Sequence, residues 1–261
     1  MSRARRCIQR AVLLSVLVGC ADELPERVDL DDGYYLLIAP ETLPRGPVPA
    51  VVHLHGHGGE PEKYLKNRAL LRDFKGWPAI VAFPAGESND WKIGPHVDDI
   101  ERDDRAFLDA VAADLRDRFE PSGVWLSGHS NGASMVYDHA CSGSGDFDGY
   151  LPISGGFWEP LPSGCRGPAR PIQHLHGVDD GLWPLEGRPI GGTSQVGPSA
   201  SLSTLRTAWG CTDEGVSADT GPLTCTAWPS CDMTLCLHGG QHKLPDGWAT
   251  WHLDWITAST E

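Results

Sequence analysis

Hydrophobic positions along this chain fall in short runs separated by Gly and Pro. Such runs cover 50–55, 79–83, 124–127, 150–154, 172–176 and 235–238, and Tyr34 to Ala39 reads as an edge strand. Short apolar runs without strict alternation predict strands buried on both faces, as in a parallel sheet. Between them the period changes. Phe107, Leu108, Val111, Leu115 and Phe119 recur at helical spacing with charges between them, which predicts a helix over 103–119. A second helix is predicted over 131–140. Strands alternating with helices imply right-handed crossovers and a doubly wound, mostly parallel sheet. The Gly-, Pro- and Ser-rich stretch 185–203 reads as a loop or small cap insertion. With 261 residues, the chain suits a single α/β domain.

The amino terminus follows a different pattern. Arg3, Arg5, Arg6 and Arg10 precede a short apolar run from Ala11 to Val18. The run is shorter than the ~20 residues that a membrane-spanning helix needs. Its flanks are those of a signal peptide, and Leu17-Val18-Gly19-Cys20 resembles a bacterial lipobox. The expected organisation is therefore a signal segment over 1–19, a lipidated tether over 20–28 beginning at Cys20, and a catalytic domain over 29–261. Export follows, with a lipid anchor in the bacterial cell envelope through which alone the membrane is met, or secretion if the segment is an ordinary signal peptide and Cys20 incidental. The formal net charge of −14 becomes more negative once the four arginines leave. Such acidity argues against nucleic acid as a partner.

Cysteine usage agrees with export. Beyond Cys7 and Cys20, six remain: Cys141, Cys165, Cys211, Cys225, Cys231 and Cys236. An even number in an exported chain reads as disulfides, and six cysteines allow 15 pairings. The preferred set is Cys141–Cys165, Cys211–Cys231 and Cys225–Cys236, the last crossing a hairpin that turns near Pro229-Ser230. Zinc is not expected, because no paired CxxC spacing occurs.

The chemistry centres on Gly128-His129-Ser130-Asn131-Gly132. A nucleophile on a sharp strand-to-helix turn requires small residues two positions to either side. The pattern alone is weak, but a predicted strand precedes it and a predicted helix follows. A serine hydroxyl needs a base, and the base needs an orienting partner. Downstream, the run 172–176 leads into Gly177-Val178-Asp179-Asp180, and the run 235–238 leads into Gly239-Gly240-Gln241-His242. Acid and histidine thus each follow a strand end, in the order Ser, acid, His. Spacing leaves both Asp179 and Asp180 open as the acid. His53, His55 and His57 alternate, as do His174 and His176, but the sequence around them lacks a metallohydrolase pattern and reads as buried structural histidines. Neither a metal nor a cofactor is expected.

Four segments carry a resemblance to the family of secreted polyhydroxybutyrate depolymerases and feruloyl or acetylxylan esterases of the α/β-hydrolase fold. They are His53-Leu54-His55-Gly56-His57-Gly58-Gly59, Phe83-Pro84-Ala85-Gly86 with Trp91, Ser127 to Gly132, and His176 to Pro184. The resemblance spans about residues 33–255. It implies an α/β-hydrolase fold, Ser130 as nucleophile, His242 as base and Asp180 as its acid, the last through the D-x-x-x-Pro spacing to Pro184. It also implies an oxyanion hole from the backbone N–H groups of Asn131 and His57. Ala133 stands where the family has a second glycine. No polymer-binding module follows, which argues against crystalline polymer.

The expected reaction is hydrolysis of a carboxylic ester, the substrate being a small molecule or a polymer. Feruloyl or acetyl groups on polysaccharide and short hydroxyalkanoate esters both suit it. Trp91 and Trp248 are the expected substrate platforms, since tryptophans on loops after strands offer flat apolar surface. Two other classes compete: a peptidase on the same fold, which would cleave an anilide faster than an ester, and a binding protein without catalysis, which would not react with a fluorophosphonate.

Overall fold

The computed structural model describes residues 25–39, 46, 48–66, 78–94 and 99–260. The signal segment and Cys20 lie outside these. Strands β1 (Glu26–Leu30), β2 (Gly33–Ile38), β3 (Ala50–Leu54), β4 (Ile80–Pro84), β5 (Val124–His129), β6 (Gly149–Ile153), β7 (Ile172–Gly177), β8 (Gly187–Ile190), β9 (Thr193–Val196), β10 (Val216–Thr220), β11 (Leu223–Trp228) and β12 (Met233–His238) are joined by helices α1 (Pro61–Lys66), α2 (Asp104–Phe119), α3 (Asn131–Ser142), α4 (Pro198–Trp209) and α5 (Trp248–Thr260).

Ten strands form one sheet in the order β1-β2-β4-β3-β5-β6-β7-β12-β11-β10. The centre from β4 to β12 is parallel, and β2 and β11 pair antiparallel at its borders. Every residue of β3, β4, β6 and β7 is buried, which is why these strands lack polar alternation. Alternate side chains feed two cores. Ala50, Val52 and Leu54 pack with Phe107, Val111, Met135 and Leu202, from α2, α3 and α4. Val51 and Val81 pack on the other face with Trp248, Ala249 and Ile256 of α5. The sheet is doubly wound. Asp103 starts α2 by accepting from the N–H groups of Arg105 and Ala106, so the predicted boundary moves by one residue.

Three expectations change. Residues 26–28 are not tether: Glu26 to Leu30 pairs with Leu37 to Gly33. For the same reason the strand over 34–39 is not at the edge, because β1 covers it. The stretch 185–203 is more ordered than a loop, holding the β8–β9 hairpin and the start of α4. The disulfides join Cys141 to Cys165, Cys211 to Cys231 and Cys225 to Cys236, the preferred set. Cys225 and Cys236 face each other across β11 and β12.

Candidate active site

Parallel pairing brings the carboxyl ends of β4, β3, β5, β6, β7 and β12 to one edge of the sheet, and the loops after them meet there. Strand β5 runs directly into Ser130, which has φ 58° and ψ −121°, and α3 begins at Asn131. A non-glycine residue is strained in that region, and the strain projects its side chain out of the strand-to-helix turn. The flanking glycines are required sterically. A Cβ on Gly128 would lie 2.5 Å from the carbonyl carbon of Gly132, and one on Gly132 would lie 2.5 Å from the His55 oxygen.

The acid and the histidine arrive on neighbouring strands. The loops after β7 and β12 are stitched together by Val178 N–H to His238 O (3.0 Å) and Asp179 N–H to Gly240 O (2.9 Å). This brings His242 Nδ1 to 2.8 Å from Asp180 Oδ2 and 3.1 Å from Oδ1. On the other side of the ring, Nε2 is 2.9 Å from Ser130 Oγ. With Nδ1–H donating to the carboxylate, Nε2 is the acceptor for the serine hydroxyl. Asp180 is buried, whereas Asp179 is exposed, so the structure puts Asp180 and not its neighbour against the imidazole.

Burial on its own would raise the Asp180 carboxyl. The hydrogen bonds from His242 and from the Trp183 N–H, with the nearby imidazoles of His242 and His176, hold it below the usual carboxylate range. Its Oδ1 accepts from the N–H groups of Leu182 (2.9 Å) and Trp183 (2.7 Å). The carboxylate therefore stays ionised near neutrality.

Behind it lies a buried polar chain that contains His174 and His176, the buried structural histidines expected from their alternation. His176 Nε2–H donates to the Trp183 carbonyl (2.8 Å), so its Nδ1 accepts from His174 Nε2–H (2.9 Å). His174 Nδ1 in turn accepts from the Tyr137 hydroxyl (2.7 Å). Each donor and acceptor role follows from the carbonyl at the end, and the chain requires both imidazoles neutral. Desolvation pushes both down accordingly. The His129 ring packs on His242 with centroids 4.9 Å apart, and burial followed by the charge of His242 holds it at about 3. Alternation along β7 marked His174 and His176, whereas Tyr137 and the packing of His129 carried no such signal.

The loop after β3 also reaches Ser130. A Cβ on Gly56 would sit 3.1 Å from the Ser130 Cβ, so this backbone touches the nucleophile. His57 follows it directly. Asn131, as the first residue of α3, points its N–H out of the helix end, where no helical carbonyl can accept it.

The two tryptophan platforms are corrected. Trp91 has no exposed surface and its Nε1–H donates to the His55 carbonyl at 2.8 Å. Trp248 starts α5, is buried, and packs against His53 at 4.8 Å. Both indoles brace the core. Val178 (45% exposed) and Leu182 (56% exposed), two residues to either side of Asp180, are exposed apolar side chains on the acid loop.

No protein-family model matches the chain, and no curated protein matches it in sequence. Solved structures do. It is similar to the acetyl xylan esterase from Aspergillus awamori, with a TM-score of 0.62 at 13% identity over 89% of this chain and 98% of that one. This chain has the α/β-hydrolase fold. The S-formylglutathione hydrolase FrmB from Staphylococcus aureus superimposes with a TM-score of 0.55 at 12% identity, covering 91% of this chain and 98% of that one. Esterase PE8 gives 0.54 at 16% identity over 85% and 96%. At such identities the likeness concerns the α/β-hydrolase architecture, and the chemistry has to be argued from the residues.

Proposed function

We propose that this α/β-hydrolase is an exported serine carboxylic ester hydrolase working through an acyl-enzyme. The observation that carries the reading is the continuous set Ser130 Oγ, His242 Nε2, His242 Nδ1 and Asp180 Oδ2, with links of 2.9 and 2.8 Å. In this reading His242 takes the Ser130 proton as Oγ attacks the ester carbonyl, and Asp180 fixes the tautomer and supports the imidazolium. The Asn131 and His57 N–H groups receive the oxyanion. As the tetrahedral species collapses, His242 returns the proton to the leaving alcohol. Water, deprotonated by the same imidazole, then releases the acid.

The esterase names among the structural neighbours fit this reading. Candidate substrates are feruloyl or acetyl esters on polysaccharide and short hydroxyalkanoate esters, and the apolar Val178 and Leu182 suit such acyl or alcohol groups. Export and a lipid at Cys20 rest on the signal-like segment and lipobox alone. The test is a panel of methyl ferulate, aryl acetate, hydroxybutyrate oligomers and a peptide anilide, run with the protein and with Ser130→Ala. Turnover of at least one ester faster than the anilide, abolished in Ser130→Ala, is expected. An anilide preference, or ester turnover surviving in Ser130→Ala, overturns the reading.

A further inference from the structure

The loop after β4 contains a buried carboxylate that the triad does not use. Asp90 is 5% exposed. Its Oδ1 accepts from the Asn131 side-chain amide at 2.6 Å and from the Trp91 N–H at 3.0 Å. Its Oδ2 pairs with His57 Nδ1. One side chain therefore grips two segments that come from different strands, and each carries one of the N–H groups assigned above to the oxyanion.

We propose that Asp90 is a positioning residue that fixes the distance between the Asn131 and His57 N–H groups. This rests on the ester-hydrolase reading. A carboxylate suits the task because it is acceptor-only, with two oxygens that serve donors from several directions at once; an amide offers a single acceptor oxygen. Burying a charge is costly unless donors surround it, and here three do.

The loop is rigid enough to act as a template. Glu87 to Asp90 forms a tight turn with Asp90 N–H to Glu87 O at 3.0 Å and left-handed φ values of 52° and 63° at Ser88 and Asn89. Glu87 Oε2 accepts from the N–H groups of Glu101 and Arg102, which ties the turn to the approach of α2. From this base the loop reaches the β3 loop at two further points. Gly86 N–H donates to His55 Nε2 at 3.0 Å, and the Trp91 indole donates to the His55 carbonyl at 2.8 Å. Segment 55–57, which abuts Ser130 at Gly56, is thereby held in place.

The experiment compares the protein with Asp90→Ala and Asp90→Asn, measuring kcat and KM on a turned-over ester, the pH profile of kcat/KM, and inhibition by a trifluoromethyl ketone. The ketone adds to Ser130 and leaves an oxyanion in the site, so its affinity reports the oxyanion donors. Asp90→Ala should lower kcat about 10²-fold. Ketone affinity should fall in parallel, with KM within about threefold and the pH midpoint unmoved. Asp90→Asn, which keeps one acceptor, should fall between, and it carries the test if the alanine variant does not fold. A folded Asp90→Ala or Asp90→Asn protein with kcat and ketone affinity at the wild-type level overturns the positioning role, as does a moved pH midpoint with unchanged ketone affinity. A wild-type protein that hydrolyses no ester overturns the ester-hydrolase reading itself, and the role of Asp90 with it.

Discussion

Replacing His252 with Gln should flatten the acid dependence of stability. His252 lies in α5 with no exposed surface, and its Nδ1–H donates to Gln173 Oε1 at 2.8 Å. Among the described residues no hydrogen-bond partner faces its Nε2, so a proton added there would have nothing to bind. Desolvation accordingly holds the imidazole at about 3. In the unfolded chain the same group titrates near ~6.5. Above that pH both states are neutral and the group adds nothing to the pH dependence. As pH falls from 6.5 toward 3, only the unfolded chain takes up the proton, so stability is lost through that window. The loss is about 1.4 kcal/mol per pH unit, or about 2 kcal/mol at pH 5. A glutamine amide can still donate to Gln173 and does not titrate. Urea unfolding from pH 7.5 to 5, with the disulfides intact, should show the His252→Gln free-energy curve shallower than wild type by about 2 kcal/mol over that range. The variant keeps the remaining slope from His53, His55, His129, His174, His176 and His238, all pushed down by burial. Parallel curves for the two proteins would refute the reasoning, since they would mean that His252 titrates alike in the folded and unfolded states.

Other outcomes follow from the same geometry. Asp180→Asn should lower kcat about 10⁴-fold by disturbing the His242 tautomer, with little change in KM. Asp179→Asn, at an exposed position, should leave kcat within about threefold, and steady-state kinetics on one ester separate the two. Removing the Cys225–Cys236 bond by a double Ser substitution frees a loop of sequence separation 11 and should cost about 3 kcal/mol, read by urea unfolding. Gly132→Ala should fold poorly or lose activity, because its methyl would meet the His55 and Leu54 carbonyls; soluble yield and turnover report it.

The parallel core was legible because burial on both faces leaves a distinctive run of apolar residues. The elbow was legible for a different reason: a sharp turn around a strained serine admits only glycine at its flanks. Asp180 and His242 could be placed after strand ends, yet nothing in the chain says that β7 and β12 are neighbours. That depends on a crossover of more than fifty residues, through β8, β9, α4, β10 and β11. Hairpins β8–β9 and β10–β11 were missed because β8 and β10 bury no residue, so no apolar pattern marks them; the Gly191-Gly192 turn was the available cue. Trp91 and Trp248 were misread because a loop position or a helix start says nothing about depth. Their buried surroundings come from His55, His53 and the sheet face. Asp90 belongs to no motif, and only the convergence on it of donors from two separate segments, Asn131 and His57, distinguishes it.

Ester cleavage depends most on Ser130 being made nucleophilic by its imidazole neighbour, and a fluorophosphonate reacted with the folded protein measures this directly. Peptide mapping by mass spectrometry should find a single adduct, on Ser130, formed in the native protein and absent after unfolding with the disulfides kept. Native protein that carries no adduct, or carries it on another residue, contradicts the account.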